Sequence, residues 1–297
     1  MRIESRATFV FLIVLSFVMP SVMIVSDHGL ARVSAPPANA PPELVPLTEL
    51  FGVAGVALAF TASATDPDGD DLVYTWDFGD GSPLAVGNPV THAYVLAGMY
   101  TFSVNVDDSH GNNVSSSATA WAAFSIRLIW PGWNAFSLPL VGWGYMASTL
   151  PLERGDVVAD LNSSTQTYRV YTVGISPPFM DFPILPNKGY WVYVDTPRTL
   201  DIYGSVPTEK QTIAFKLPVS GGWAIFGFVG LKIHKASEIP AMCDPIGAVV
   251  IVALYDPGTM RYFTWTPGAP PYKDISIFPG AGVFIFFRTT ASLSYYP

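Results

Sequence analysis

The sequence holds one cysteine, Cys243, in 297 residues. A single thiol forms no intramolecular disulfide, so stability has to come from packing or from a bound ion. Cys243 stands beside Ala241, Met242 and Ile246, which reads as a buried structural thiol. Charge is scarce as well, at 13% of residues, about half the usual share of soluble domains. Lys and Arg are missing altogether between Arg32 and Arg127, while that stretch carries ten Asp and Glu. Such a surface repels phosphate backbones and argues against nucleic acid as a partner. The four histidines, His28, His92, His110 and His234, have no metal-binding spacing, and no nucleophile elbow, phosphate loop or paired-cysteine motif occurs. Carboxylate pairs such as Asp107-Asp108 fall in turns. The expectation is a protein that is not an enzyme.

Half of the chain is apolar and 14% is aromatic, with 25 Gly and 27 Pro. Long amphipathic helical patterns are absent. This composition predicts an all-β protein of short strands joined by turns. Its length allows two or three domains.

The chain begins with Arg2 and Arg6 ahead of an apolar run from Ala7 to Val25, followed by Asp27 and His28. Positive charge before the run and an acidic flank after it predict export of everything downstream. Residues 1–30 read as a signal peptide or as an uncleaved signal anchor, since the run is long for the first and just long enough for the second. Membrane contact is expected only through this segment. Residues 31–46, which contain SAPPANAPPELVP, read as a stiff Pro/Ala-rich linker.

Alternation with a period of two starts after the linker. Leu72, Tyr74, Trp76 and Phe78 form one apolar face, and Tyr100, Phe102, Val104 and Val106 form another. Half-buried strands of this kind, separated by turn clusters, predict a β-sandwich over 47–123. The turns Asp66-Pro67-Asp68-Gly69-Asp70 and Gly79-Asp80-Gly81-Ser82 suit positive φ. The order Trp76-Asp77-Phe78-Gly79-Asp80-Gly81, His92-Ala93-Tyr94, Gly98-Met99-Tyr100 and Val104-Asn105-Val106-Asp107 resembles the polycystic-kidney-disease (PKD) domain. The resemblance implies an immunoglobulin-like sandwich that serves as an extracellular spacer or contact module. It implies Trp76 between the sheets, Gly79 and Gly81 in a tight turn, and His92 and Tyr94 beside that turn. Some PKD domains bind calcium at one end of the sandwich, and the matching positions are Asp66, Asp68 and Asp107. Oxygen ligands at alternate positions, with a glycine for the bend, suit Ca²⁺. The alternative is a solvated Asx-rich turn.

The remainder is an internal duplication. Gly132-Trp133-Asn134 recurs as Gly222-Trp223-Ala224, and Ala147-Ser148 as Ala236-Ser237. The stretch 157–174 aligns without gaps on 251–268, and Asp181, Pro186 and Gly189 fall on Asp274, Pro279 and Gly282. Residues 124–207 and 208–297 therefore read as two copies of a small β module. They form either two separate barrels or sandwiches, or one pseudo-symmetric body. The patterns GWNxxSLP and PNKGYWV resemble repeats of exported archaeal and bacterial surface proteins. In the second copy Ala224 replaces the asparagine, and Ala281-Gly282-Val283-Phe284 replaces Lys-Gly-Tyr-Trp.

Seven of the eight tryptophans lie at or beyond Trp121. Trp191 and Phe284, at matched positions, read as core. Trp143, unmatched and flanked by Gly142 and Gly144, is the aromatic expected to be exposed and to stack on a sugar. Sequons occur at Asn113 and Asn162. Together these features predict a non-catalytic cell-surface or secreted binding and adhesion protein whose partners are cell-surface proteins or polysaccharides. A structural envelope or filament component and an accessory module of a secreted hydrolase system are the alternatives.

Overall fold

A computed structural model of the protein describes residues 38–297. The signal peptide or anchor expected over 1–30, and the linker up to residue 37, lie outside the described residues. The fold is nearly all β. Among the described residues, no helix is long and apolar enough to cross a membrane.

Nine strands make up the first part: β1 (Glu43–Leu44), β2 (Leu50–Val53), β3 (Leu58–Phe60), β4 (Ala64–Thr65), β5 (Val73–Asp77), β6 (Ala85–Val86), β7 (Val90–His92), β8 (Gly98–Asp107) and β9 (Asn113–Leu128). One layer carries β9–β8–β5–β6, with β2 added parallel to β9, and the pairs β1–β4 and β3–β7 complete the strand set. The alternating apolar faces meet as predicted, in a core of Phe60, Trp76, Phe78, Tyr94, Phe102, Val104 and Val106. Trp76 is fully buried and donates its indole N–H to the Gly87 carbonyl at 2.9 Å. His92 stacks on Phe78, and its Nε2 lies 2.8 Å from the Asp80 carboxylate, which ties the turn to the neighbouring strand. Gly79 has φ 73°, and a Cβ there would lie 2.0 Å from the Thr101 carbonyl oxygen, so only glycine fits this bend.

Two expected boundaries move. Residues 39–46, expected to be linker, are folded: β1 pairs with β4, and the Asn39 side chain bonds Asp108 at 2.7 Å. The boundary expected at 123/124 falls inside β9. That strand pairs with β8 over Asn113–Ala122, and its last residues, Phe124–Leu128, pair with β14 (Arg198–Ile202) of the first repeat. The two modules therefore share one continuous strand and have no linker between them.

The first repeat contains β10 (Gly132–Ser137), β11 (Val157–Asn162), β12 (Thr167–Thr172), β13 (Gly189–Val194) and β14. The second contains β15 (Gln211–Phe215), β16 (Gly222–Phe226), β17 (His234–Lys235), β18 (Cys243–Asp244), β19 (Val249–Asp256), β20 (Arg261–Trp265), β21 (Ser276–Ile277), β22 (Val283–Phe287) and β23 (Ala291–Tyr295). Each copy builds the same four-stranded antiparallel sheet, β10–β13–β11–β12 in the first and β16–β22–β19–β20 in the second. Short helical turns follow at Ala147–Thr149 and Ala236–Glu238, at matched positions of the two copies. In both turns a serine is held by an aspartate of its own copy. Ser148 Oγ donates to Asp181 at 2.5 Å, and Ser237 Oγ to Asp274 at 2.6 Å.

The two copies form one pseudo-symmetric body. The inner face of each sheet covers its own core. The outer faces meet through Leu161, Ile225, Ala253 and Phe284, with Trp191 against Phe284 at 4.9 Å between ring centres. Two backbone bridges, Phe136 with Ala281 and Lys188 with Phe226, join equivalent positions in exchanged order. This is the mark of a two-fold interface in which each patch contacts its counterpart. Gly189 and Gly282, kept in both copies, stand where the backbones approach. A Cβ on Gly189 would lie 2.3 Å from an Ile225 methyl, and one on Gly282 would lie 3.0 Å from the Phe136 nitrogen.

Candidate functional site

At one end of the sandwich the structure gathers Asp66, Asp70 and Asp108, each offering one carboxylate oxygen within 4.8 Å of the others. Asp66 Oδ1 accepts the backbone N–H groups of Asp68 and Asp70 at 2.9 and 3.3 Å, which bends the loop around it. Its Oδ2 is buried and has no hydrogen-bond partner. Asp70 Oδ2 is in the same position, with the His110 Nδ1 atom 3.2 Å away. Asp108 is fully buried and accepts from the backbone N–H groups of His110 and Asn112 and from the side chains of Asn39 and Asn112. Burial works to raise its pKa, but these four donors prevail and hold it at about 2. His110 is pushed up by its bond to the Asp108 carbonyl and by the negative charge of Asp70.

Only Asp66 of the three predicted ligands belongs to this group. Asp68 is exposed and caps the Ala40 N–H at 2.7 Å. Asp107 ends β8 and accepts from the Ser109 N–H at 2.7 Å. Asp108, one residue beyond the strand, turns inward instead. Two buried carboxylate oxygens without donors fit a hard divalent cation, and Asp66, Asp70 and Asp108 are the residues that would hold it.

Trp143 is 40% exposed. It sits at the junction of the two modules, edge-on to Phe51 and Trp121 of the sandwich and tilted against Tyr203 of the first repeat. Both sequon asparagines are exposed. Asn113 opens the long strand β9 rather than standing in a turn. The Asn162 side-chain oxygen Oδ1 accepts from Ser164 N–H and Oγ, which closes an Asx turn at the β11–β12 hairpin.

Two clefts border the seam between the repeats. One, of about 550 Å³, is walled by Tyr168, Trp223, Tyr262 and Phe284 and carries no charged side chain. The other, of about 630 Å³, contains Asp160, Arg169, Lys188 and Lys216. Leu161 and Tyr168 belong to both walls. Asp160 is almost fully buried, with Arg169 Nη2 at 2.7 Å and Lys188 Nζ at 2.5 Å. These clefts escape sequence reading because their walls come from both copies. The one local signal was Asp160 itself, a carboxylate inside an otherwise apolar strand.

A stretch of 83 residues is 35% identical to a microbial collagenase of Vibrio alginolyticus, covering 28% of this chain and 10% of the relative. The chain thus matches only about a tenth of that protein's length. A solved structure concerned with carbohydrate-binding modules of the β-sandwich superfamily aligns with 87% of this chain and 96% of its own, at 15% identity and a TM-score of 0.27. The family model of the PKD domain matches residues 39–122. The sandwich that carries the Asp66, Asp70 and Asp108 group is a PKD domain.

Proposed function

We propose that the protein is an exported, non-catalytic contact module, displayed at the cell surface or secreted, which binds a surface protein or polysaccharide and holds it at a fixed distance. The observation that carries this reading is strand β9. It passes without interruption from the PKD sheet into the first repeat, and aromatic packing of Trp143 with Phe51, Trp121 and Tyr203 braces the same junction. A shared strand transmits orientation as a flexible linker does not. The seam between the repeats supplies concave, aromatic-walled surface for a partner. Ca²⁺ at Asp66, Asp70 and Asp108 would pin the folded 39–46 segment to the far end of the sandwich. Exposed Asn113, away from the seam, would carry a glycan in a host with the machinery, whereas the Asn162 sequon borders the cleft between the repeats.

The 83-residue match to a collagenase favours a second reading, an accessory module of a secreted hydrolase system. One pull-down separates the two. The purified chain is offered collagen, envelope fractions and a panel of polysaccharides, alongside Trp143→Ala. Retention by envelope or polysaccharide supports the first reading and retention by collagen supports the second. Blank responses throughout refute both.

A further inference from the structure

The duplication shows which features the fold requires. Asp160 on β11 faces Arg169 on β12, and the same cross-strand pair in the second copy is Leu254 with Phe263. The match is structural as well as sequential, because Gln166 and Met260, at the tips of these hairpins, share a positive φ of 55° and 54°. Lys188 corresponds to Ala281, and each makes the equivalent backbone bridge across the seam. The same sheet, hairpin and bridge therefore form with Leu, Phe and Ala in place of Asp, Arg and Lys. Burying a carboxylate costs desolvation energy that an apolar pair avoids. The first copy bears that cost at a site where the second copy shows the architecture does not need it.

The cluster is also arranged as a receptor. Arg169 directs Nε and Nη2 at Asp160, and its guanidinium lies 4.3 Å from the Phe182 ring centre, which holds the plane fixed. Its side chain is half exposed, and Nη1 has no partner among the described residues. Lys188 spends one contact on Asp160 and is about a third exposed. With Lys216 the cleft carries three cations against one carboxylate, in a chain whose net charge is −8. The half-exposed Tyr168 ring forms one wall, and Asn162, Ser164 and Thr167 add amide and hydroxyl groups. A planar cationic fork suits a carboxylate, a ring face suits the C–H face of a sugar, and hydroxyls and amides suit sugar hydroxyls.

We infer that the Asp160–Arg169–Lys188 cleft of the first repeat is a binding site for a carboxylate-bearing saccharide of the hexuronate type. This deepens the contact-module reading by naming its ligand class, and it rests on that reading. Asp160 acts as the positioning residue that orients both cations, while Arg169 and Lys188 meet the sugar carboxylate.

The test is calorimetric titration of the full chain, made in a host that adds no glycan at Asn162, with oligogalacturonate, a neutral cello-oligosaccharide and oligoglutamate. Oligogalacturonate is expected to bind about tenfold or more tighter than the other two, with affinity falling as salt rises. The variant D160L/R169F/K188A installs the second copy's own residues. It is expected to keep the parent's unfolding midpoint and to lose about tenfold or more in affinity. Arg169→Gln, which leaves Asp160 paired with Lys188, provides the same comparison if the triple variant unfolds. Equal binding of the neutral sugar, tighter binding of oligoglutamate, or unchanged affinity in the folded variants overturns the inference. Retention of collagen or envelope polysaccharide by a chain that ignores oligogalacturonate overturns it while leaving the contact-module reading standing.

Discussion

Substituting Gly227 by alanine tests the pseudo-two-fold seam directly. Gly227 in the second copy is the counterpart of Ser137 in the first, and the two stand face to face. A Cβ on Gly227 would lie 2.0 Å from Ser137 Cβ and 2.1 Å from its Oγ. Backbone strain plays no part, because Gly227 is not among the positive-φ glycines. Ser137 is fully buried, and its Cβ is fixed to a strand that also bonds across the seam, N–H to the Gly280 carbonyl at 2.9 Å and Oγ to the Ala281 carbonyl at 3.0 Å. No flexible side-chain end is available to yield, so the strands must separate. Overpacking of this kind costs about 1–3 kcal/mol, and the absence of any soft neighbour puts G227A near the upper end. In a body of this size that is about 6–12 °C in melting temperature. Ser137→Gly alone loses one hydrogen bond and gains backbone freedom, about 1–2 kcal/mol. The exchange S137G/G227A moves the side chain from one copy to the other, so the two losses should not add. A double-mutant cycle by urea unfolding is expected to show a favourable coupling of about 1 kcal/mol or more. Additivity within about 0.5 kcal/mol, or an unchanged midpoint for G227A, would mean that the copies do not meet in this way.

Calorimetry with Ca²⁺ is expected to show weak binding, on the order of 10⁻⁴ to 10⁻³ M, abolished by Asp70→Asn and untouched by Asp68→Asn. The reverse pattern would return the site to the positions that the PKD resemblance implied. His234 is buried against Phe228, with Glu238 at 3.0 Å from Nδ1, and desolvation outweighs that carboxylate to push its pKa down. A base whose pKa falls on folding binds fewer protons folded than unfolded, so stability is full above pH ~6.5 and declines as pH falls through the folded value. His234→Phe should remove that slope from the unfolding profile, and a slope that persists assigns it to another group. Trp143→Ala should cost about 2 kcal/mol, below the loss for a fully buried ring because Trp143 is 40% exposed. A melting temperature equal to that of the parent would remove Trp143 from the junction.

Local chemistry made much of this protein legible in its sequence. Strand alternation is set by each residue's own side chain. Turns that demand positive φ select glycine, as at Gly79 and Gly81. Trp76, His92 and Tyr94 therefore identify the PKD domain and their places in it, and the spacing of Trp133 and Trp223 reveals the duplication. The acidic group was half legible. Asp66 shapes its own loop, but Asp68 turns to a backbone N–H 28 residues away, in a segment that composition alone presents as linker. Asp108 continues the inward face of Phe102, Val104 and Val106 while Asp107 falls on the other face, so the position implied by the resemblance stands one residue off the buried face, where the Asn39 donor meets Asp108.

Only the tertiary structure decided that the two repeats form one body, that β9 belongs to two modules at once, and that Arg169 and Lys188 converge on Asp160. Periodicity tells which residues of a strand share a face, but not which other face covers them. That depends on close approach at Gly189, Gly227 and Gly282, which meet Ile225, Ser137 and Phe136 of the other copy far along the chain, and such contacts leave no local pattern to read.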